Sequence, residues 1–449
     1  MKNKSSILNG KLDQIIWIIA FPIILTNMIE GMYGIIDSMF VANVGISAVA
    51  SVAFVGPIQD TLNAVGLGIS IAGCSLIARF IGAKDEKKAK KMIANVFIIG
   101  VAIGFLVSFS SYIFSEQILV SAGVTEDLLQ DSSVYLKLTS WGIVFTFIIV
   151  LYLAIERAQG NTKTAVIINA ISISLKIIFC YLFTIWQDFG ITGIGFATVF
   201  AQGICASVCI FLMLSKKNTR LLKKEEYRLD FSLSKILIIT ALPLVFEKSL
   251  TSYGFVIANK YVLEYGEAVL AAYGLTNKVN TVFFKAVTAL GTGLAVIVAQ
   301  NIGANNIERA KKAVKKTLIY AIILSVAFIS FLYPLRYYIA SLFVDTSEET
   351  YMHMVTAMSI YTASIIPWGI TECILGVFQG TGKTKFNLLI SLLRIYVFRV
   401  PVIIIFCQPF WNLGECAIWY AMLVSNILSA VFSLSLYLIR QKKIIKELE

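Results

Sequence analysis

The chain has 449 residues, of which 58% are hydrophobic and only 14% charged, with 38 Lys+Arg against 26 Asp+Glu. A soluble domain carries about 25% charged residues, so this composition cannot clothe a water-facing surface and excludes a soluble globular enzyme. The net charge of +12 does not require a nucleic-acid partner, because in a membrane chain Lys and Arg collect in the loops of one side.

The start, MKNKSSILNGKLDQ, is polar, and the apolar run after it has no small-residue cleavage site, so it reads as a retained first span and not a signal peptide. Apolar segments able to cross a hydrocarbon core of roughly 30 Å fall at about 14–40, 50–78, 92–115, 133–156, 165–186, 193–215, 236–263, 268–300, 314–340, 351–378, 386–408 and 414–439. The expected fold class is an all-α polytopic membrane protein with twelve transmembrane helices. If these alternate, 29 of the 38 basic residues lie on one side, in the N-terminal tail, RFIGAKDEKKAKK, the connection with Arg157 and Lys163, the middle connection, the stretch after Asn306, the connection with Lys383 and Lys385, and the C-terminal tail. The opposite connections are acidic, with Glu116, Glu126, Asp127, Asp131, Asp188, Glu264, Glu267, Asp345, Glu348, Glu349 and Glu415. Both termini are therefore expected in the cytoplasm, with the chain multi-pass in the cell inner or plasma membrane.

The second half repeats the first. An offset of 221 places Pro243 over Pro22 and AQNIGANNIERAKK (299–312) over ARFIGAKDEKKAKK (78–91), with seven identities in fourteen positions. At an offset of 220, QGTGKT (379–384) lies over QGNTKT (159–164). The expected organisation is a tail 1–13, a six-helix lobe 14–215, a basic linker 216–235, a pseudo-symmetric six-helix lobe 236–440 and a tail 441–449. Six helices per repeat make the repeats parallel, related by an axis along the membrane normal, with a central cleft and alternating access. The fragment GTGKT (380–384) lacks the glycine that a phosphate loop needs at Val377 and reads as a helix-ending turn. The seven cysteines lie in or beside apolar segments and read as packing, without a disulfide framework or metal set.

Charges left inside the apolar spans are Glu30, Asp37, Asp60, Glu247 and Glu372 against Lys176, Lys248, Lys278, Lys285, Arg394 and Arg399. Each costs roughly 2.5–3.5 kcal/mol at mid-membrane unless paired or facing water, so they mark a polar interior. Glu30 and Asp37 share a stripe of the first helix with Asn27, Tyr33 and Gly34. Glu247, Thr251 and Gly254 make a similar stripe on the seventh helix, where Lys248 adjoins as a counter-ion. Glu372 follows Pro367, which loosens the backbone. Lys278 and Lys285 share a face and either line the cleft or snorkel. Arg394 and Arg399 read first as structural partners of carbonyls or acids. Asp60 reads as a hydrated helix-end acid, and the lone His353 argues against a histidine-based hydrolytic site.

The runs AFPIILTNMIEGMYGIIDSMFVANVG, RFIGAKDEKKAKK, AIERAQGNTKT and FGITGIGFAT, with the echoes ALPLVFEKSLTSYG, AQNIGANNIERAKK and VFQGTGKTKF, resemble the multidrug and toxic compound extrusion (MATE) family over residues 12–440. Within that family it looks similar to the prokaryotic branch of the DNA-damage-inducible type. The resemblance implies export of cationic or amphipathic compounds in exchange for protons or sodium ions. Asp37 matches the family's first-helix aspartate, associated with cation coupling, and Thr198 a threonine of the sixth helix. On the fifth helix the family pattern has an asparagine and then an aspartate, where this chain has Lys176 and Cys180. An ammonium beside Asp37 argues against an oxygen-lined sodium site.

The expectation is thus a non-enzymatic secondary efflux antiporter, coupled through Asp37, Lys176, Thr198 and Glu30. Its substrate cleft would hold Tyr33, Asn27, Glu247, Thr251, Lys278, Lys285, Glu372 and Arg394. No cofactor or metal is implied beyond the coupling ion, H+ before Na+. The expected partners are the lipid bilayer and a small-molecule substrate, with the chain a monomer. The alternatives are a flippase of a lipid-linked or cell-envelope precursor, and a membrane-embedded protein that transports nothing.

Overall fold

The computed structural model describes residues 4–124, 126–187, 189–214, 229–408 and 411–446. Most of the basic linker 216–235 lies outside them. A short α1 (Lys4–Asn9) precedes α2 (Leu12–Val44), α3 (Ile46–Gly82), α4 (Glu86–Ile113), α5 (Ser115–Ser121), α6 (Glu126–Ala158), α7 (Lys163–Cys180) and α8 (Gly190–Leu214). The second half holds α9 (Phe231–Leu263), α10 (Glu267–Gly303), α11 (Ile307–Ser341), α12 (Glu349–Tyr361), α13 (Ile365–Gly380), α14 (Lys385–Leu392), α15 (Val400–Phe406) and α16 (Cys416–Lys446). No strand occurs among the described residues. A π-helical stretch Tyr181–Trp186 continues α7, a 3₁₀ turn Thr362–Ser364 joins α12 to α13, and a π-helical stretch Leu393–Arg399 joins α14 to α15. Eleven passes among the described residues are long and apolar enough to cross a membrane. The 33-residue α9 supplies the twelfth.

The helices overrun the apolar spans. α4 starts at Glu86 and α11 at Ile307, each about two turns before the apolar run. Asp85 explains the first case, since its side chain accepts the Lys88 N–H at 3.0 Å and caps a lysine-rich first turn.

The duplication is visible in the backbone. α3 and α10 are both 37 residues long and start 221 residues apart. Each follows a glycine with positive φ, Gly45 at 140° and Gly266 at 108°. Lys84 and Asn305 then turn the chain at φ 59° and 57°. The later echo differs from its letter-by-letter alignment. α6 ends at Ala158 and α13 at Gly380, so the left-handed turn residues are Gly160 and Gly382, two positions further apart than QGNTKT over QGTGKT implies. In both turns the last carbonyls are closed by paired backbone bonds, as in Lys383 N–H to Phe378 O at 2.8 Å, so GTGKT is a helix-ending turn.

Compactness divides the chain differently from sequence repetition. One unit comprises Met1–Gly31 with Leu250–Glu449, the other Met32–Ser249. The opening halves of α2 and α9 are therefore exchanged relative to the lobes 14–215 and 236–440. The physical reason is packing. Ile16, Ile19 and Ile23 of α2 join one core with Ala286, Leu290 and Leu294 of α10, while Val245 of α9 lies against Gly68 of α3.

In the first unit α10 is the central helix and α11 peripheral; in the second α6 is central and α7 peripheral. Lipid tails are as apolar as leucine, so close packing must hold such helices together. A Cβ on Gly291 would stand 2.3 Å from the Glu372 carbonyl oxygen, and one on Gly376 2.2 Å from that of Gly291. Backbones of α10 and α13 thus touch directly. In the second unit, Phe147 and Leu151 of α6 fill the space left by Gly66, Gly100 and Gly104.

Candidate functional site

In the unit Met32–Ser249, α2 and α7 bring Asp37 and Lys176 together, Nζ to Oδ1 at 3.0 Å, with the side chains 22% and 14% exposed respectively. Tyr135 of α6 and Cys180, one turn beyond Lys176, lie within electrostatic reach of Asp37. Thr198 on α8 donates to its own helix at the Ile194 carbonyl, 3.0 Å away, and no described contact carries it to the pair. Beyond the pair, Phe179, Phe183, Phe189 and Phe200 form a ring cluster where α7 gives way to its π-helical stretch. Glu247 on α9 is buried at 2% exposure and accepts from its neighbour Lys248 at 3.0 Å, which leaves the lysine as its local counter-ion. The Tyr33 side chain lies outside the described residues.

The unit Met1–Gly31 with Leu250–Glu449 gathers the others in part. Asn27 donates to the Lys285 carbonyl at 2.8 Å, tying α2 to α10 beside Gly31, whose Cβ position would meet the Val282 backbone at 3.0 Å. Glu30 and Thr251 are half-buried, Lys285 is half-buried and Lys278 is exposed. Glu372 is buried on α13.

Arg394 is buried, and its guanidinium lies 4.6 Å from the centre of the Trp368 ring. Trp368 stacks on Phe284 at 5.0 Å and donates Nε1–H to the Thr288 hydroxyl at 3.0 Å. The cation therefore rests on a fixed aromatic wall. Arg399 is buried nearby in sequence and donates to Ser425 at 3.3 Å and Asn426 at 3.1 Å, which is a structural role.

Trp368 gave no signal in sequence, because its partner lies on another helix. Glu156 stood within the AIERAQGNTKT run but was not singled out. It is buried at the end of α6 and accepts from the Asn161 amide, which closes the α6–α7 turn. No group of three or more His, Cys, Asp or Glu able to hold a metal ion occurs among the described residues.

The unit Met32–Ser249 thus offers a carboxylate held by an ammonium and a cluster of aromatic rings. The MatE family profile matches residues 22–182 and 243–405. The probable multidrug resistance protein YoeA of Bacillus subtilis (strain 168) is 24% identical over 428 residues, covering 93% of this chain and 90% of that protein. The multidrug export protein MepA of Staphylococcus aureus (strain NCTC 8325 / PS 47) is 22% identical, covering 94% and 93%. A crystal structure of MATE in complex with MaL6 matches with a TM-score of 0.95 at 17% identity, over 99% of this chain and 100% of that one. The outward-facing conformation of a multidrug resistance MATE family transporter of the MOP superfamily matches at 0.93 and 18% identity, over 100% and 99%. A MOP superfamily transporter from Pyrococcus furiosus, described as having a binding pocket of reversed polarity, matches at 0.93 and 17% identity, over 98% of each chain.

Proposed function

The chain belongs to the MatE family of membrane transporters, and on that premise we propose that it is a secondary active efflux antiporter, exporting amphipathic or cationic small molecules in exchange for protons by alternating access. The observation that carries the reading is the Asp37–Lys176 pair at 3.0 Å between apolar helices. Removing one partner of a shielded pair leaves the other charge uncompensated, at a cost of about 3–5 kcal/mol. Protonating Asp37 ends the pair and frees the ammonium, and losing the proton restores it. A proton therefore switches this contact between two states. A sodium ion would need oxygen ligands where the Lys176 ammonium already stands. The multidrug names of YoeA and MepA support a drug-like substrate. The protein works as a monomer, since one chain contains both repeats, and the basic connections support cytoplasmic termini in the cell inner or plasma membrane.

Transport by everted vesicles under an imposed pH or sodium gradient tests this, with dyes and cationic drugs as substrates. A pH gradient alone should drive export, and Asp37→Asn should reduce it at least tenfold. Sodium-stimulated export that persists with Lys176 in place and disappears in Asp37→Asn would overturn proton coupling.

A second reading, a flippase or exporter of an anionic lipid-linked precursor, is favoured by the buried Arg394 on the Trp368 ring. It predicts that cations fail in the same vesicles while an anionic lipid is moved, and that Arg394→Gln abolishes that movement.

A further inference from the structure

The first helix of each repeat begins on the third helix of the other repeat. Asp13, the second residue of α2, accepts from Lys316 of α11 at 2.7 and 2.6 Å and from the Tyr320 hydroxyl. Arg309, in the first turn of α11, donates to the Ile7 carbonyl at 3.3 Å and to the Gly10 carbonyl, fixing the segment ahead of α2. Trp17 packs its ring on Tyr320 one turn further on, at 5.4 Å.

The same place is built in the other repeat. Asp230, just before α9, accepts from Lys91 of α4 at 3.0 Å. Asn95 of α4, fully buried, donates to the Asp230 carbonyl at 2.8 Å and to the Ser234 hydroxyl at 3.2 Å, and accepts the Asp230 N–H at 3.0 Å. The offset of 221 superposes Asn95 on Lys316 and Ser234 on Asp13. One pair of equivalent positions thus carries an amide–hydroxyl bond in one copy and an ion pair in the other. The two copies thus dock the same segment at the same place through different chemistry.

We propose that these contacts are two latches that hold the repeats together on the side of the basic connections, and that both open each time the transporter admits substrate from that side. The two are unequal. The Asp13–Lys316 latch is ionic and its side chains are 48% and 41% exposed, so salt screens it. The other latch also has an ion pair, Lys91–Asp230 with side chains 45% and 27% exposed, but adds three hydrogen bonds of the fully buried Asn95, which salt does not screen. Added salt therefore loosens the Asp13 latch first.

The opening step rests on the antiporter reading; the latch contact does not, and two measurements separate them. Hydrogen–deuterium exchange on the full chain in phosphatidylethanolamine–phosphatidylglycerol vesicles reads the contact. D13N and K316Q should each speed exchange at least tenfold in the first two turns of α2, with α6 unchanged, and the charge-swapped D13K/K316D should restore protection. Raising KCl should reproduce the effect at α2 and leave the first turns of α9 protected. Unchanged exchange in D13N and K316Q, or no restoration by the swap, overturns the latch whatever the protein transports. In the second measurement, D13C/K316C is bridged by a short bis-methanethiosulfonate, with the parent chain and its seven cysteines treated alongside. Transport should stop and return on reduction. Undiminished transport by the bridged protein overturns the opening step.

Discussion

At the scale of single residues, Asp37 and Lys176 are unequal partners in what their loss should do. Asp37→Asn leaves an ammonium shielded from water without its counter-ion, and so should lower both thermal stability and proton-driven export. Lys176→Asn leaves a carboxylate that can still bind a proton or accept a metal ion, and should retain export while gaining sensitivity to sodium, measurable as sodium-stimulated dye efflux in vesicles. Arg399→Met should cost about 1–3 kcal/mol by leaving Ser425 and Asn426 without their donor, read as a drop in the unfolding temperature in detergent. Outside the membrane, Lys91 and the Leu233 N–H hold the Asp230 carboxyl below its ordinary range. A carboxyl shifted in that direction contributes stability above its unfolded pKa and loses it as pH falls through the folded one. Protection of the first turn of α9, corrected for intrinsic exchange, should therefore stay level from about pH 8 to about pH 5 and fall only in stronger acid. Asp37 and Lys176 were legible in sequence because a charge in an apolar span demands a partner. The Arg394–Trp368 contact was not, because 25 intervening residues carry the chain through a turn and onto another helix.

At the scale of elements, the passes and their order were legible from apolar length, while their ends and irregularities were not. Apolar length measures the hydrocarbon core; α4 continues beyond it because Asp85 caps its polar first turn, and α11 does so without a side-chain cap. The π-helical stretch Leu393–Arg399 has no sequence signature, though it decides where two charges point. Residues five apart on an α-helix diverge by about 140°, whereas the wider turn brings Arg394 and Arg399 closer to one face, and both are buried. Just beyond it stands Pro401, which has no N–H to offer the preceding turn. Two substitutions test the elements. Asp85→Ala removes the α4 cap and should speed exchange in the first turn of α4 alone. Gly376→Ala pushes a methyl group into the Gly291 carbonyl and should destabilise the protein by about 1–3 kcal/mol or more, since backbone cannot step aside as a side chain can. Loss of monodisperse protein on size-exclusion chromatography would register the stronger outcome.

At the scale of the molecule, the repeat was legible because matching polar loops are improbable by chance, and the offset of 221 reappears in α3 and α10 residue for residue. The exchange of opening segments was not legible. An alignment states which helices correspond, but not which copy each one packs on. That exchange predicts the behaviour of a chain cut between Leu222 and Lys223. The two fragments, expressed together, should purify as one complex through a tag on either, while each expressed alone should aggregate, because each lacks a segment that completes its core. The exchange also bears on how such a chain could arise. A lone six-helix ancestor would have had to lend its opening segment to a second copy and borrow that copy's in return, a swapped homodimer. Tandem fusion turned the loan between two molecules into one within a single molecule. The basic linker, in this light, is the scar of that fusion, and Asn95 and Lys316 are what became of one ancestral position once its two descendants were free to differ.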